Sequence, residues 1–159
     1  GLQELGAASD HRARYPWPMS TFLLKTEPDD YAWDDLVREK RTVWDGVSNA
    51  AARSHMRRVR KGDEAFIYHT GGERRIVGLA QIVTNAYEDP DEPGENTRGE
   101  IKAPVFDIKA VRAAPTPVEL AEIKADKRFA DFVLVRQGRL SVMEVPAALD
   151  KALRKMCGL

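Results

Sequence analysis

Two aromatic residues stand where a side chain could close on a flat ligand. Trp44 ends the short β-prone segment Thr42, Val43, Trp44 and is followed at once by Asp45 and Gly46, so its ring can project from a sheet rim into a cleft. Tyr68 ends a second apolar run in the same way, beside His69. Rings so placed could sandwich a base, and each stacked base is worth ~1–3 kcal/mol. Interior packing is the other use for both. If Trp44 faces a cleft, Trp44→Ala removes binding and leaves the melting temperature nearly unchanged, whereas a large loss of stability marks the ring as core. Trp33 recurs with Leu36 and Val37 at helical spacing and is read as core. Trp17 precedes the first strand and is given no role.

Cations are concentrated in one place. Residues 53–61 carry Arg53, Arg57, Arg58, Arg60 and Lys61 with His55, and no acid. Arg74, Arg75, Arg136 and Arg139 extend this cluster if the fold brings them near, giving the electrostatic footprint of phosphate contact. A solvated helix face explains the same pattern. Lys plus Arg and Asp plus Glu both total 25, so the net charge is zero and no long-range field draws in a polyanion. Any binding of nucleic acid then depends on a local patch. Glu88, Asp89, Asp91, Glu92 and Glu95 would repel phosphate, and are expected away from the binding face on a mobile loop over residues 85–100.

Catalytic chemistry finds little to work with. His11 lies in the first 18 residues and His55 in the basic segment, which leaves His69 as the candidate general base, with Ser141, Ser54 or a carboxylate as partner. None of these sits in a nucleophile elbow, and no phosphate-binding glycine loop or zinc-binding His pair occurs. The one cysteine, Cys157, excludes an internal disulfide and a Cys-based metal site. The expectation is a binding protein and not an enzyme, with no cofactor and no metal, and His69 as a hydrogen-bonding residue. A small-molecule or nucleotide-processing protein using His69 and Ser141 in the same cavity is the alternative, and a general RNA-binding module working through the basic helix is a third.

The elements that must position these residues form one α+β domain over residues 19–159. Phe22, Leu23 and Leu24 form a buried strand halted by Pro28; Asp29 and Asp30 then cap a helix containing Trp33. Asn49 caps a helix that runs through Met56 toward Gly62. Strands over residues 65–70 and 75–84 pair as a hairpin through Gly71 and Gly72. Residues 101–111 make another strand. Thr116, Pro117 and Glu119 form a capping box that starts a helix with Leu120 and Ile123. A strand over residues 140–145 and a closing helix over 146–156 complete a curled sheet flanked by short helices. Residues 1–18 show no period and are read as a disordered or non-native extension before Met19. At 159 residues the chain builds one core, and no apolar run reaches the ~20 residues of a membrane span. The expectation is a cytoplasmic protein that does not bind membrane, and a monomer, since no heptad pattern occurs.

Several short stretches carry a resemblance. Phe-Leu-Leu-Lys-Thr-Glu-Pro at residues 22–28, Thr-Val-Trp-Asp-Gly-Val at 42–47 with Asn49 and Arg53 downstream, Tyr68-His69, and Leu-Val-Arg-Gln at 134–137 followed by Arg-Leu-Ser-Val at 139–142 resemble the signatures of EVE domains. Ser48, Ala51 and Gly138 depart from the family pattern, so the loops framing the pocket differ. The resemblance implies a PUA-like β-barrel related to the YTH readers of methylated adenine. It further implies binding of DNA or RNA through one flipped, modified base, such as methylated or hydroxymethylated cytosine. By that similarity Lys25, Thr26 and Trp44 surround the base, joined by Asn49, Tyr68, His69, Leu140 and Ser141. Arg53, Arg57, Arg136 and Arg139, with Lys25, hold phosphate or sugar.

Overall fold

Phe22, Leu23 and Leu24 are fully buried in β1 (Thr21–Thr26), which runs parallel to β3 (Glu64–His69) and antiparallel to β7 (Val142–Val145). A strand flanked on both sides and covered on both faces has no solvent side, which is why its apolar residues are consecutive. The computed structural model describes residues 15–159. β3 and β4 (Arg75–Ile82) form the hairpin through Gly71 and Gly72. β6 (Pro104–Glu119) pairs with β4 and with the edge strand β2 (Arg41–Trp44), and two residues of β5 (Tyr87–Glu88) pair with its start. The strand order is β2-β6-β4-β3-β1-β7, and the register shifts within β3, β4 and β6 curl the sheet. β2 and β7 lie at its two ends without pairing to each other, so the PUA-like sheet is curled but not closed into a barrel.

The helices are short. α1 is Trp33–Glu39, α2 Ala50–Met56, α3 Leu120–Ala125, α4 Val133–Arg136 and α5 Ala147–Cys157. Trp33 seats α1 on the sheet, where its ring lies so close to Gly78 that a Cβ there would fall 2.7 Å from three ring atoms. Asn49 caps α2 as its position indicates, its side-chain oxygen accepting the Ala52 N–H at 2.9 Å.

Three local expectations are corrected. Asp29 and Asp30 do not cap α1: the N–H groups of Asp30 and Tyr31 both return to the Glu27 carbonyl, and Asp35 accepts the Ala32 N–H instead. The Thr116–Pro117 capping box does not form, because Val118 and Glu119 stay in the ladder opposite Ile76 and Arg75 and α3 begins only at Leu120. The ladder there jumps from Ala113 to Val118, and the two prolines fall in the unpaired stretch, where no donor is missed. The acidic segment is not set apart on a loop of its own: Glu92 pairs with Arg53 at 2.7 Å and Glu95 bridges to Ile101, so the loop packs against the basic helix. Residues 1–14 of the expected extension lie outside the described residues. In the remainder, the Tyr15 ring rests on Gly62 and the Arg60 guanidinium lies 5.2 Å from the Trp17 ring.

One network fastens β2 and β5 to β6. Asp107 accepts from the Tyr87 hydroxyl at 2.5 Å and from the Arg41 guanidinium at 2.8 Å. Burial, then the bond to Asp107, pushes the Tyr87 phenol up to about 12. Between the ordinary phenol value of 10.0 and about 12 the unfolded chain loses this proton while the folded one keeps it. Stability is therefore expected to fall with rising pH across that window. Melting curves of the wild type and Tyr87→Phe from pH 9 to 12 check this; equal slopes for the two proteins would remove the assignment.

Candidate functional site

A cavity of about 560 Å³ opens where the end of β1, the turn over residues 27–31 and the end of β2 meet. Pro28 stops β1, the turn closes on the Glu27 carbonyl, and the Thr26 hydroxyl donates to the Tyr31 carbonyl at 2.6 Å. This brings Tyr31 edge-on to Trp44, with ring centroids 6.4 Å apart and planes at 79°. Burial raises the Tyr31 pKa, and its hydroxyl, beside Thr42 and Glu39, makes no hydrogen bond of ordinary geometry. Asp45 and Gly46 turn the chain away after Trp44, Gly46 with φ 72, and the segment through Asn49 forms the rim.

Of the residues placed in the pocket by the sequence, five line this cavity: Lys25, Thr26, Trp44, Asn49 and Ser141. Trp44 does so while only 8% exposed, so it is wall and core at once. The Asn49 side-chain oxygen is used by the helix cap, which leaves its amide nitrogen as a donor. Lys25 donates to the Gly138 carbonyl at 2.9 Å, and burial lowers its pKa.

Tyr68, His69 and Leu140 do not line this cavity. Tyr68 stands beside Lys25 in the β1–β3 register, with the Lys25 ammonium 5.7 Å from its ring, and faces a separate hollow. His69 is buried, and its ring is spoken for on both sides: Nε2 accepts the Trp33 N–H at 3.0 Å, so Nδ1 carries the proton toward Glu73 at 3.1 Å. It orients the start of α1. Leu140 is 5% exposed, in the core. The sequence reading missed Tyr31 and the three carboxylates that share the lining, Glu27, Asp30 and Asp45. The signal for Tyr31 was Pro28, which forces the turn that swings the next aromatic back to the strand end.

A profile of the EVE domain matches residues 20–156. The chain belongs to the EVE domain family. Human thymocyte nuclear protein 1 is 32% identical over 126 residues, covering 67% of this chain and 56% of its own length. The match to the chicken protein covers 51% of it, so the chain spans about half the length of these curated relatives. An NMR structure from Rhodopseudomonas palustris superposes with TM-score 0.78 at 40% identity, covering 88% of this chain and 94% of that one. The human THYN1 protein, crystallised in complex with 5-methylcytosine-containing DNA, superposes with TM-score 0.73 at 28% identity over 86% of this chain and 97% of that one. An ASCH protein of Zymomonas mobilis, 14% identical with TM-score 0.56, shares the fold.

The cations expected to hold phosphate in this EVE domain are largely occupied. Arg53 donates to the Val47 and Lys102 carbonyls and pairs with Glu92. Arg57 donates to the Ile101 and Lys102 carbonyls, and Arg136 to the Ala130 carbonyl and Asp131. Arg139 is exposed and makes no hydrogen bond or ion pair among the described residues. Arg53, Arg57 and His55 of the basic segment brace the fold, His55 Nδ1 accepting the Glu144 N–H at 3.2 Å between α2 and β7, while Arg58, Arg60 and Lys61 are exposed. Among the described residues no group of three or more His, Cys, Asp or Glu is placed to hold a metal ion, and no helix is long and apolar enough to cross a membrane.

Proposed function

We propose that this EVE domain binds nucleic acid by taking one extruded, modified base, a methylated or hydroxymethylated cytosine, into the cavity walled by Trp44 and Tyr31. The observation that carries the reading is the lining itself. An aromatic pair meets polar groups with donor and acceptor capacity to spare at a strand end, in a volume of about 560 Å³ that falls within the ~300–1,000 Å³ of ligand-holding clefts. The pairing edge of cytosine offers one amino donor and two acceptors. Glu27, Asp30 and Asp45 are carboxylates of the kind that accept from such an amino group, and the Asn49 amide nitrogen, Ser141 hydroxyl and Lys25 ammonium can donate to the acceptors.

Three carboxylates against one ammonium also make the cavity a poor place for a phosphate, so the base and not the backbone is what enters. Extruding it costs a few kcal/mol of unstacking, which stacking on Trp44 and hydrogen bonds to the edge offset. The DNA complex of the human relative supports nucleic acid as the ligand class. The test is fluorescence anisotropy on duplex oligodeoxynucleotides that differ by a single 5-methylcytosine. A pocket that seats the extra methyl group is expected to favour the modified duplex about 10- to 200-fold. Equal affinities for the two duplexes would overturn the reading.

A further inference from the structure

Lys25 is shared between two hollows of opposite character. On one side lies the cavity already described, with three carboxylates and one ammonium in its lining. On the other is a hollow of about 250 Å³ whose lining includes Lys25, Arg74 and Lys124 with Tyr68 and Gly138, and holds no acidic residue. Lys25 bonds the Gly138 carbonyl and stands over the Tyr68 ring, and so borders both hollows.

Like Lys61 and Arg139, Arg74 and Lys124 differ from Arg53 and Arg57 in being free. Both are exposed, and neither makes a hydrogen bond or ion pair through its side chain among the described residues. Arg74 sits at φ 47, a left-handed conformation uncommon outside glycine, and it is pinned there because its carbonyl accepts the Leu120 N–H at 2.8 Å. The backbone that presents the guanidinium is thereby fixed, and the same bond ties it to the start of α3, which carries Lys124. Arg74 and Lys124 also border the next hollow along, whose lining includes the carboxylates of Glu73 and Glu119; Glu73 is engaged by His69 and Arg75.

We infer that the phosphodiester backbone flanking the held nucleotide lies in this second hollow, gripped by Arg74 and Lys124, and not by the occupied Arg53 and Arg57. The inference rests on the base-reading proposal for its polarity: the base enters the acidic side of Lys25, and its phosphate the cationic side. With zero net charge there is no long-range field to help, so salt dependence comes from local contacts such as these two.

The experiment titrates the wild type, R74A, K124A and the double variant with the methylated and plain duplexes between 50 and 200 mM salt. K109A/R112A serves as a control that removes the same charge from the opposite part of β6. Each single substitution is expected to weaken binding of both duplexes about tenfold, and the double variant is expected to lower the salt slope by about two contacts at ~0.9 each. The preference for the methylated duplex stays unchanged. Wild-type affinity and slope in a double variant whose melting curve matches the wild type would overturn the phosphate site while leaving base reading intact. Loss of slope in a protein that never preferred the methylated duplex would instead uphold the phosphate site and end base reading. An equal loss in the control would reduce the effect to overall charge and overturn the assignment.

Discussion

Trp44→Ala is expected to lose ~3–5 kcal/mol of stability and the greater part of modified-base binding together. At 8% exposure the indole is largely buried, with Tyr31 edge-on to it and the fully buried Phe106 as its register partner on β6, so truncation leaves a hole that the edge strand β2 cannot readily close. For a chain of this size that loss lowers the melting temperature by roughly 10 °C. Stacking adds ~1–3 kcal/mol per base, which is about 5- to 150-fold in affinity. The simple expectation from sequence, binding lost with the melting temperature unchanged, therefore gives way to a coupled loss. Titration well below the variant's own melting temperature separates the two, and Trp44→Phe, which keeps a π-face and most of the packing, is expected to fall between. A folded Trp44→Ala that binds the methylated duplex like the wild type would leave Trp44 as core alone.

What the sequence could and could not reveal about this site follows from which interactions are local. Trp44 was legible because Asp45 and Gly46 end its strand immediately, and the Asn49 cap because its partner is three residues away. Lys25 and Thr26 came with the family resemblance and do lie at the cavity. Tyr68 shows the opposite case. It too ends a strand, but β2 and β3 are separated by β6 and β4, and strand order is set by long-range pairing that no local period records. The two rings therefore face different hollows on either side of Lys25. The capping box at Thr116 failed for the same reason: a good local helix signal lost to ladder bonds with a strand some forty residues earlier, Val118 to Ile76. Arg53 and Arg57 read as a binding patch because, apart from the Val47 carbonyl, the groups that occupy them come from the 92–102 segment, which composition marked only as acidic.

A second large effect is expected far from the cavity, and the contrast is informative. Arg154 on α5 donates to Asp150 at 2.7 Å, to Glu64 at 3.0 Å and to the Thr21 hydroxyl at 3.2 Å, and its guanidinium lies 5.7 Å from the Phe66 ring. Thr21 in turn donates to the other Asp150 oxygen at 2.9 Å, so one cluster locks the closing helix to the starts of β1 and β3. Burial alone would lower the Arg154 pKa, but the two carboxylates outweigh it and hold it above its ordinary value. The side chains are 21%, 12% and 18% exposed for Arg154, Asp150 and Glu64, which places the cluster nearer the buried regime than the screened surface one. Arg154→Ala strands two mostly enclosed carboxylates and is expected to cost ~3–5 kcal/mol in urea denaturation. Arg154→Met combined with Asp150→Asn and Glu64→Gln removes the charges together and is expected to cost less than the single change. A loss below ~1 kcal/mol for Arg154→Ala would show that water already screens the pair. Because Thr21 stands at the opposite end of β1 from Lys25 and Thr26, the folded fraction of Arg154→Ala is expected to bind the methylated duplex with unchanged affinity, whereas folded Trp44→Ala is not.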